Sequence, residues 1–133
     1  MSDEPLSRPL GEPQHSRPMR DLLLLMPHLP MQGKGDIDYA SADPDLLVDI
    51  AQQADTTLRT VHLGTAAIGE LLAHVSPEIG TGEFPANTIE AIGWLLAELG
   101  DLAATAHLLL AGCKRFTSDY APSRAKHIPP ARP

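Results

Sequence analysis

Residues 89–113 read IEAIGWLLAELGDLAATAHLLLAGC, and this stretch decides the fold. Apolar residues recur in it at alternating spacings of three and four, the heptad pattern of an α-helix packed against other helices. The pattern predicts one long helix, helix B, that continues to about Thr117. Its members are Ile89, Ile92, Leu96, Leu99, Ala103, Ala106, Leu110 and Cys113.

An upstream stretch carries the same repeat and predicts helix A. Asp43 is a suitable N-cap and Pro44 fits the first turn, whereas Pro77 is expected to end the helix near Ser76. Because its repeat is as long as that of helix B, the two helices can pair along their whole length. Its members are Leu47, Ala51, Ala54, Leu58, Val61, Thr65, Ile68, Leu72 and Val75.

Helix B has two candidate starts. Pro85 can open it, or Asn87 can cap it with Glu90 as the capping-box partner. Small residues such as Gly64 and Gly100 lie within the two helices, and they predict close approach between helices.

The predicted fold class is all-α, a long antiparallel helical hairpin over residues 43–118. Residues 77–85 are short enough to fold helix B back along helix A. We predict a mostly disordered N-terminal arm over residues 1–42 that can form a short helix over 18–26. A disordered, Pro-rich basic tail is predicted over residues 119–133.

The apolar stripe is wider than a two-helix contact needs, since three apolar positions in seven suit a bundle. Each exposed Leu would forfeit roughly 1.5–3 kcal/mol of burial. We therefore expect a homodimer that forms a four-helix bundle. The alternative is a monomer in which the segment Leu22–Met26 covers the stripe. The residues expected to mediate self-association are Leu95, Leu102, Leu109, Phe116, Ile50 and Leu71.

Helix B is also apolar on the side opposite its predicted core. An exposed Trp is a typical anchor for a protein partner, so this side is a candidate binding surface. The alternative is that the arm covers it. The predicted partner-binding residues are Trp94, Leu108, Leu22, Leu25 and Met26.

Charge is divided unevenly along the chain. Residues 35–113 contain twelve acidic residues and one basic residue, while residues 114–133 contain five basic residues and one acidic residue. Nucleic-acid binding needs a positive surface, so the acidic body argues against a nucleic-acid partner. A small helical regulator that meets nucleic acid through its basic tail stays an alternative.

We expect a cytoplasmic protein with no membrane partner. The apolar run Leu22–Met26 is too short for a signal sequence, and Glu98 and Asp101 interrupt the apolar stretch Ala91–Gly112. In that compartment Cys113, the single cysteine, is expected to stay a reduced thiol.

The sequence predicts a non-enzymatic protein with no catalytic residues, no metal site and no cofactor. It contains no HExxH, GxSxG, Walker A or GxGxxG motif. His62 and His107 flank the apolar stripe, where they are expected to be edge residues that give pH sensitivity if they meet.

One short motif resembles an enzyme family. Glu98 and Asp101 have the ExxD spacing of the all-α nucleoside-triphosphate pyrophosphohydrolases of MazG type. Those enzymes are helical bundles that hold Mg²⁺ between acidic residues of adjacent helices. Helix A lacks the companion EExxE element and offers Asp45, Asp49, Asp55 and a distant Glu70 instead. A divergent MazG-like, Mg-dependent nucleotide pyrophosphohydrolase is thus an alternative to the expected interaction module, an adaptor, inhibitor or regulatory accessory protein.

Overall fold

The computed structural model of the chain describes residues 17–121, so the ends of the predicted arm and tail, 1–16 and 122–133, lie outside it. The described chain is mostly helical, and its two long helices pack together, which confirms the predicted pair. A 3₁₀ turn over Met26–His28 follows the first helix. The elements are α1 (Pro18–Leu25), β1 (Met31–Gln32), β2 (Asp36–Ile37), α2 (Pro44–Gly80) and α3 (Ala86–Thr117).

Both long helices begin where the sequence predicts. The Asp43 carboxylate accepts a hydrogen bond of 3.0 Å from the backbone N–H of Asp45, as expected of an N-cap. Pro85 holds the cap position of α3 with an extended backbone, which confirms the first of the two candidate starts. The Asn87 cap is wrong, because this residue already lies inside the first turn of α3.

The predicted end of helix A near Ser76 is wrong, since α2 continues through Pro77 to Gly80. Proline has no N–H, so the carbonyl of Ala73 loses its usual helical partner. The Ser76 hydroxyl donates to that carbonyl at 3.0 Å and satisfies it, so the helix runs for one more turn. Gly82, with φ of 82°, then turns the chain towards α3.

The buried core lies at one end of the hairpin. The buried residues of α2 fall between Leu47 and Val61, and those of α3 between Ala103 and Cys113. The start of α2 therefore lies beside the end of α3, which makes the pair antiparallel. We call residues 44–61 and 103–117 the proximal half of the hairpin and residues 62–102 the distal half. No described residue of the distal half is fully buried.

The described part of the arm, residues 17–42, covers one side of the proximal half. Helix α1 packs against α2, and Leu22 and Leu29 are buried within the core that the two long helices form. After α1 the arm contains the antiparallel hairpin β1–β2, which Gly33 and Gly35 turn with positive φ angles.

Helix α3 is the one helix within residues 17–121 that is long and apolar enough to cross a membrane by length and composition alone. This is weak support for a membrane helix, because core helices of soluble proteins have the same properties. In the present fold α3 is instead a helix whose apolar surface is only partly covered by the rest of the chain.

Candidate interaction surfaces

The arm lies on one lateral side of the hairpin, which we call the arm face. On α3, the ring of Tyr39 stacks on Phe116 with ring centroids 5.6 Å apart and planes inclined by 14°. Met26 and Ile37 complete this contact, lining with Tyr39 a cavity of about 180 Å³ beside Leu109. The arm therefore covers part of the surface that the sequence assigned to self-association.

Tyr39 packs the arm against α3 directly over Gly112. A Cβ atom on Gly112 would lie 2.5 Å from the Tyr39 ring, so the ring rests directly on the helix backbone. Burial, and secondarily the neighbouring Cys113, raises the pKa of the Tyr39 hydroxyl. Tyr39 is not among the predicted site residues, although the alternation of Asp36, Ile37, Asp38 and Tyr39 is a strand signal that points to it.

On α2, the arm covers Ile50, which is fully buried, and α1 residue Leu25 lies beside Gln53. Eighteen residues, about five helical turns, separate Ile50 from Ile68 and Gln53 from Leu71. Ile68 and Leu71 therefore lie on the same side of α2 as the residues that the arm contacts, but in the distal half.

The distal continuation of the arm face is uncovered. Leu71 is 65% exposed and Leu95 is 50% exposed, whereas their proximal counterparts Ile50 and Leu109 are buried. Leu95 precedes Leu109 by two heptads, so both lie on the same side of α3. We call the exposed surface the distal arm face, formed by Ile68, Leu71, Val75, Leu95 and Leu102.

The other lateral side, the groove face, carries an open groove of about 670 Å³. Leu58, Leu96, Gly100 and Ala104 line it, together with others. A Cβ atom added at Gly64, Gly69, Gly93 or Gly100 would meet nothing within 4 Å. Within the single chain no other helix approaches these four glycines closely, and the small residues leave a trough on this face.

The structure brings His62 and His107 together on the groove face. Both are exposed and both line the groove, one from each long helix. This agrees with their predicted position at the edge of the apolar stripe.

Trp94 and Leu108 lie on the outer side of α3, 67% and 71% exposed. The Trp94 indole N–H donates to Glu90 at 3.5 Å, one turn earlier in the same helix. Fourteen residues, about 21 Å of helix, separate Trp94 from Leu108, so the two side chains do not form one compact patch. Leu108 borders the arm, whereas Trp94 belongs to the distal half.

The three arm residues predicted to bind a partner are occupied within the chain. Leu22 is buried, and Leu25 and Met26 pack against the core. The residues of α1 that remain available are Leu23 and Leu24, which are 70% and 64% exposed. The sequence gives no signal to tell them from Leu22 and Leu25, because all four stand in one uninterrupted leucine run.

The acidic residues of the ExxD motif lie apart from most of the acidic residues offered by α2. Glu98 and Asp101 are exposed in the distal half, as is Glu70 of α2, whereas Asp45, Asp49 and Asp55 lie in the proximal half. Within residues 17–121, no three His, Cys, Asp or Glu side chains are grouped to hold a metal ion. A Mg²⁺ site needs several converging oxygen ligands, so this arrangement gives the MazG-like alternative no support.

Cys113 is fully buried beneath the arm, and this burial raises the pKa of its thiol to about 11. At pH 8 only about 0.1% of such a thiol is ionised, against about a quarter of an exposed one. We expect a thiol-reactive disulfide reagent to modify native Cys113 at least roughly 100-fold more slowly than the urea-unfolded chain.

The same shift makes stability depend on pH. Between about pH 8.5 and pH 11 the unfolded thiol ionises while the folded one stays protonated, so the free energy of unfolding falls as pH rises. Cys113→Ala lacks this group, so its stability should fall less than that of the wild type over this interval, as measured by urea unfolding. Parallel pH profiles of the two proteins would contradict the burial of this thiol.

Comparison of the chain with protein-family models, curated proteins and solved structures gives no match. Its fold and surfaces define it as a helical hairpin with an arm packed on its proximal half and an uncovered apolar distal half.

Proposed function

We propose that the protein is a non-enzymatic protein–protein interaction module, an adaptor, inhibitor or regulatory accessory protein, that acts as a homodimer. In this proposal two hairpins form a four-helix bundle, and the outer side of α3 stays available to a different protein partner. The observation that carries the proposal is the distal half of the hairpin, which has no fully buried residue and exposes large apolar side chains.

The energetic argument is the cost of leaving those side chains in water. Covering one large aliphatic side chain contributes roughly 1.5–3 kcal/mol. The distal half exposes several of them, and a two-helix hairpin cannot cover more than one stripe on each helix. A second hairpin supplies the missing layer, which supports self-association. The exposed residues are Leu63, Leu71, Phe84, Trp94 and Leu95.

Trp94 and Leu108 support a second, heterologous surface. Both lie on the outer side of α3, away from the stripe that faces α2. A protruding Trp is enriched among residues that dominate protein–protein binding. Glu98 and Asp101 interrupt the apolar stretch of α3, which favours a protein over lipid as the cover and agrees with a cytoplasmic location.

Sedimentation velocity of the full chain tests the proposal. We expect a species with twice the 14.2 kDa chain mass at micromolar concentration. The double variant Trp94→Ala/Leu108→Ala should keep this mass, because both residues lie outside the predicted bundle contact. It should also lose at least about 90% of the protein partners that the wild type retains from its native cells.

Two results would contradict the proposal. A single-chain mass at concentrations up to about 100 μM would exclude self-association in the range typical of specific dimers. An unchanged set of retained proteins after the double substitution would exclude the outer side of α3 as the partner surface.

A further inference from the structure

We infer that the second copy docks on the distal arm face, with the two hairpins antiparallel and the arm marking the end of the contact. In this arrangement a two-fold axis crosses the helices near Leu71 and Leu95. The inference rests on the proposed self-association and assigns it a face, a direction and a register.

The choice of face follows from what each side can bury. The distal arm face offers Leu71 and Leu95, each at least half exposed. The groove face is lined by Leu58, Val61 and Leu96, but these are already buried or half-buried, and its exposed residues are small or polar, such as Ala66, Ala104 and His107. Because burial energy scales with apolar area, leucine side chains favour the arm face as the contact between copies.

Charge supports the same choice. The apolar centre of the distal arm face has one carboxylate beside it on each helix, Glu98 next to Leu95 and Leu102 on α3 and Glu78 next to Val75 on α2. A homodimer brings identical surfaces together, so a charged centre would place like charges against each other. An apolar centre with carboxylates at the border avoids this repulsion and resembles the core and rim of protein interfaces.

The available area reaches the minimum expected of a biological interface. The distal part of α2 from residue 62 to residue 80 is about 28 Å long at 1.5 Å per residue. Two helices 8–10 Å apart present a strip roughly 19 Å wide. The resulting footprint is about 500 Å² on each copy and about 1,000 Å² in total, which reaches the lower bound for specific interfaces.

The arm determines the direction of the second copy. Two hairpins that face each other in parallel would place both arms at the same end, where Tyr39 and its neighbours already fill the surface over Phe116. Those arms would collide. In the antiparallel arrangement the connecting loop around Phe84, which is 41% exposed, reaches the arm of the other copy and no farther.

An antiparallel two-fold arrangement predicts self-contacts at the axis. Helix α3 of one copy lies on α3 of the other, and α2 lies on α2. The axis passes the middle of the distal half, which is near Leu95 in α3 and near Leu71 in α2. Each of these residues therefore lies close to its own counterpart in the second copy.

Cysteine crosslinking tests this register. Leu95→Cys in the full chain, treated with a short bis-maleimide at pH 7, should crosslink most of the protein to a covalent dimer. The matched control Gly93→Cys is close to the level of Leu95 but lies on the groove face, two turns before the groove residue Gly100, with open space around its Cβ, and it should crosslink at least about 10-fold less. Wild-type protein should not crosslink, because its one thiol, Cys113, is buried with a raised pKa. Leu71→Cys serves as a second probe at the same level.

The crosslinking results and the mass measured by sedimentation velocity together distinguish failure of this inference from failure of the proposed self-association. Efficient crosslinking at both Leu95→Cys and Leu71→Cys supports the inference. Crosslinking at Gly93→Cys alone in a dimeric protein would overturn the inference while leaving self-association in place. A monomeric wild type would overturn both the inference and the self-association on which it rests.

Discussion

Ile50→Ala is expected to lower the free energy of unfolding by about 3–4 kcal/mol, the range for buried isoleucines whose cavity is not refilled. Ile50 has no exposed surface and lies between α2, α3 and the arm. Three elements surround it, so the site cannot collapse around the smaller side chain without moving one of them.

The matched control for this variant is Ile68→Ala, the same substitution about five helical turns farther along the same side of α2. Ile68 is half-buried in the single chain, so at low protein concentration we expect a loss of only about 1 kcal/mol. Urea unfolding followed by circular dichroism measures both variants under identical conditions.

Protein concentration separates the two variants further. If the second copy covers Ile68, the loss in free energy of unfolding caused by Ile68→Ala grows as the protein concentration rises. The loss caused by Ile50→Ala does not. Equal losses at low concentration would contradict a core confined to the proximal half. A stability loss of Ile68→Ala that does not change with protein concentration would contradict the contact between copies on the distal arm face.

The sequence determines the two long helices because their heptad repeats are nearly unbroken. Leu47 and Leu110, for example, are predicted core residues and are buried in the structure. A repeat of this kind is a spacing of apolar residues along one segment, so it can be read from that segment without knowing what the helix packs against. The N-cap at Asp43 is predicted for the same reason, since the capping carboxylate and the backbone N–H it accepts from lie two residues apart.

The position of the core within the hairpin could not be predicted from that repeat. Ile50 and Leu71 lie three heptads apart, at equivalent positions beside it, yet Ile50 is buried and Leu71 is 65% exposed. The difference comes from the arm, which packs beside one half of the hairpin. A contact between segments distant in sequence leaves no periodic signal in either segment.

The continuation of α2 through Pro77 has a different cause. A helix-breaking rule considers the proline alone, but the effect depends on whether another donor reaches the freed carbonyl. Here the Ser76 hydroxyl does so. Whether a side chain can donate this hydrogen bond depends on its geometry in the folded helix. The sequence pattern therefore predicted the end of the helix one turn too early.

Gly112→Ala is expected to lower stability by about 1–2 kcal/mol, although Ala is the better helix former. The new methyl group would lie 2.5 Å from the Tyr39 ring, so the ring has to leave its place above α3. Its stacking on Phe116 would then be lost, and the β1–β2 part of the arm would detach from the helix. Urea unfolding gives the stability change, and the near-ultraviolet circular dichroism of Tyr39 reports its release.

Gly100→Ala is the matched control, because it is the same substitution in the same helix with no atom within 4 Å of the new Cβ. It is expected to raise the free energy of unfolding by up to about 1 kcal/mol through helix propensity alone. Adding Tyr39→Ala should remove most of the difference between the two glycine variants, since the clash needs both side chains. Equal stabilisation by both substitutions would show that Tyr39 does not hold the arm against α3, and the end of the distal arm face would then have to be set by another contact.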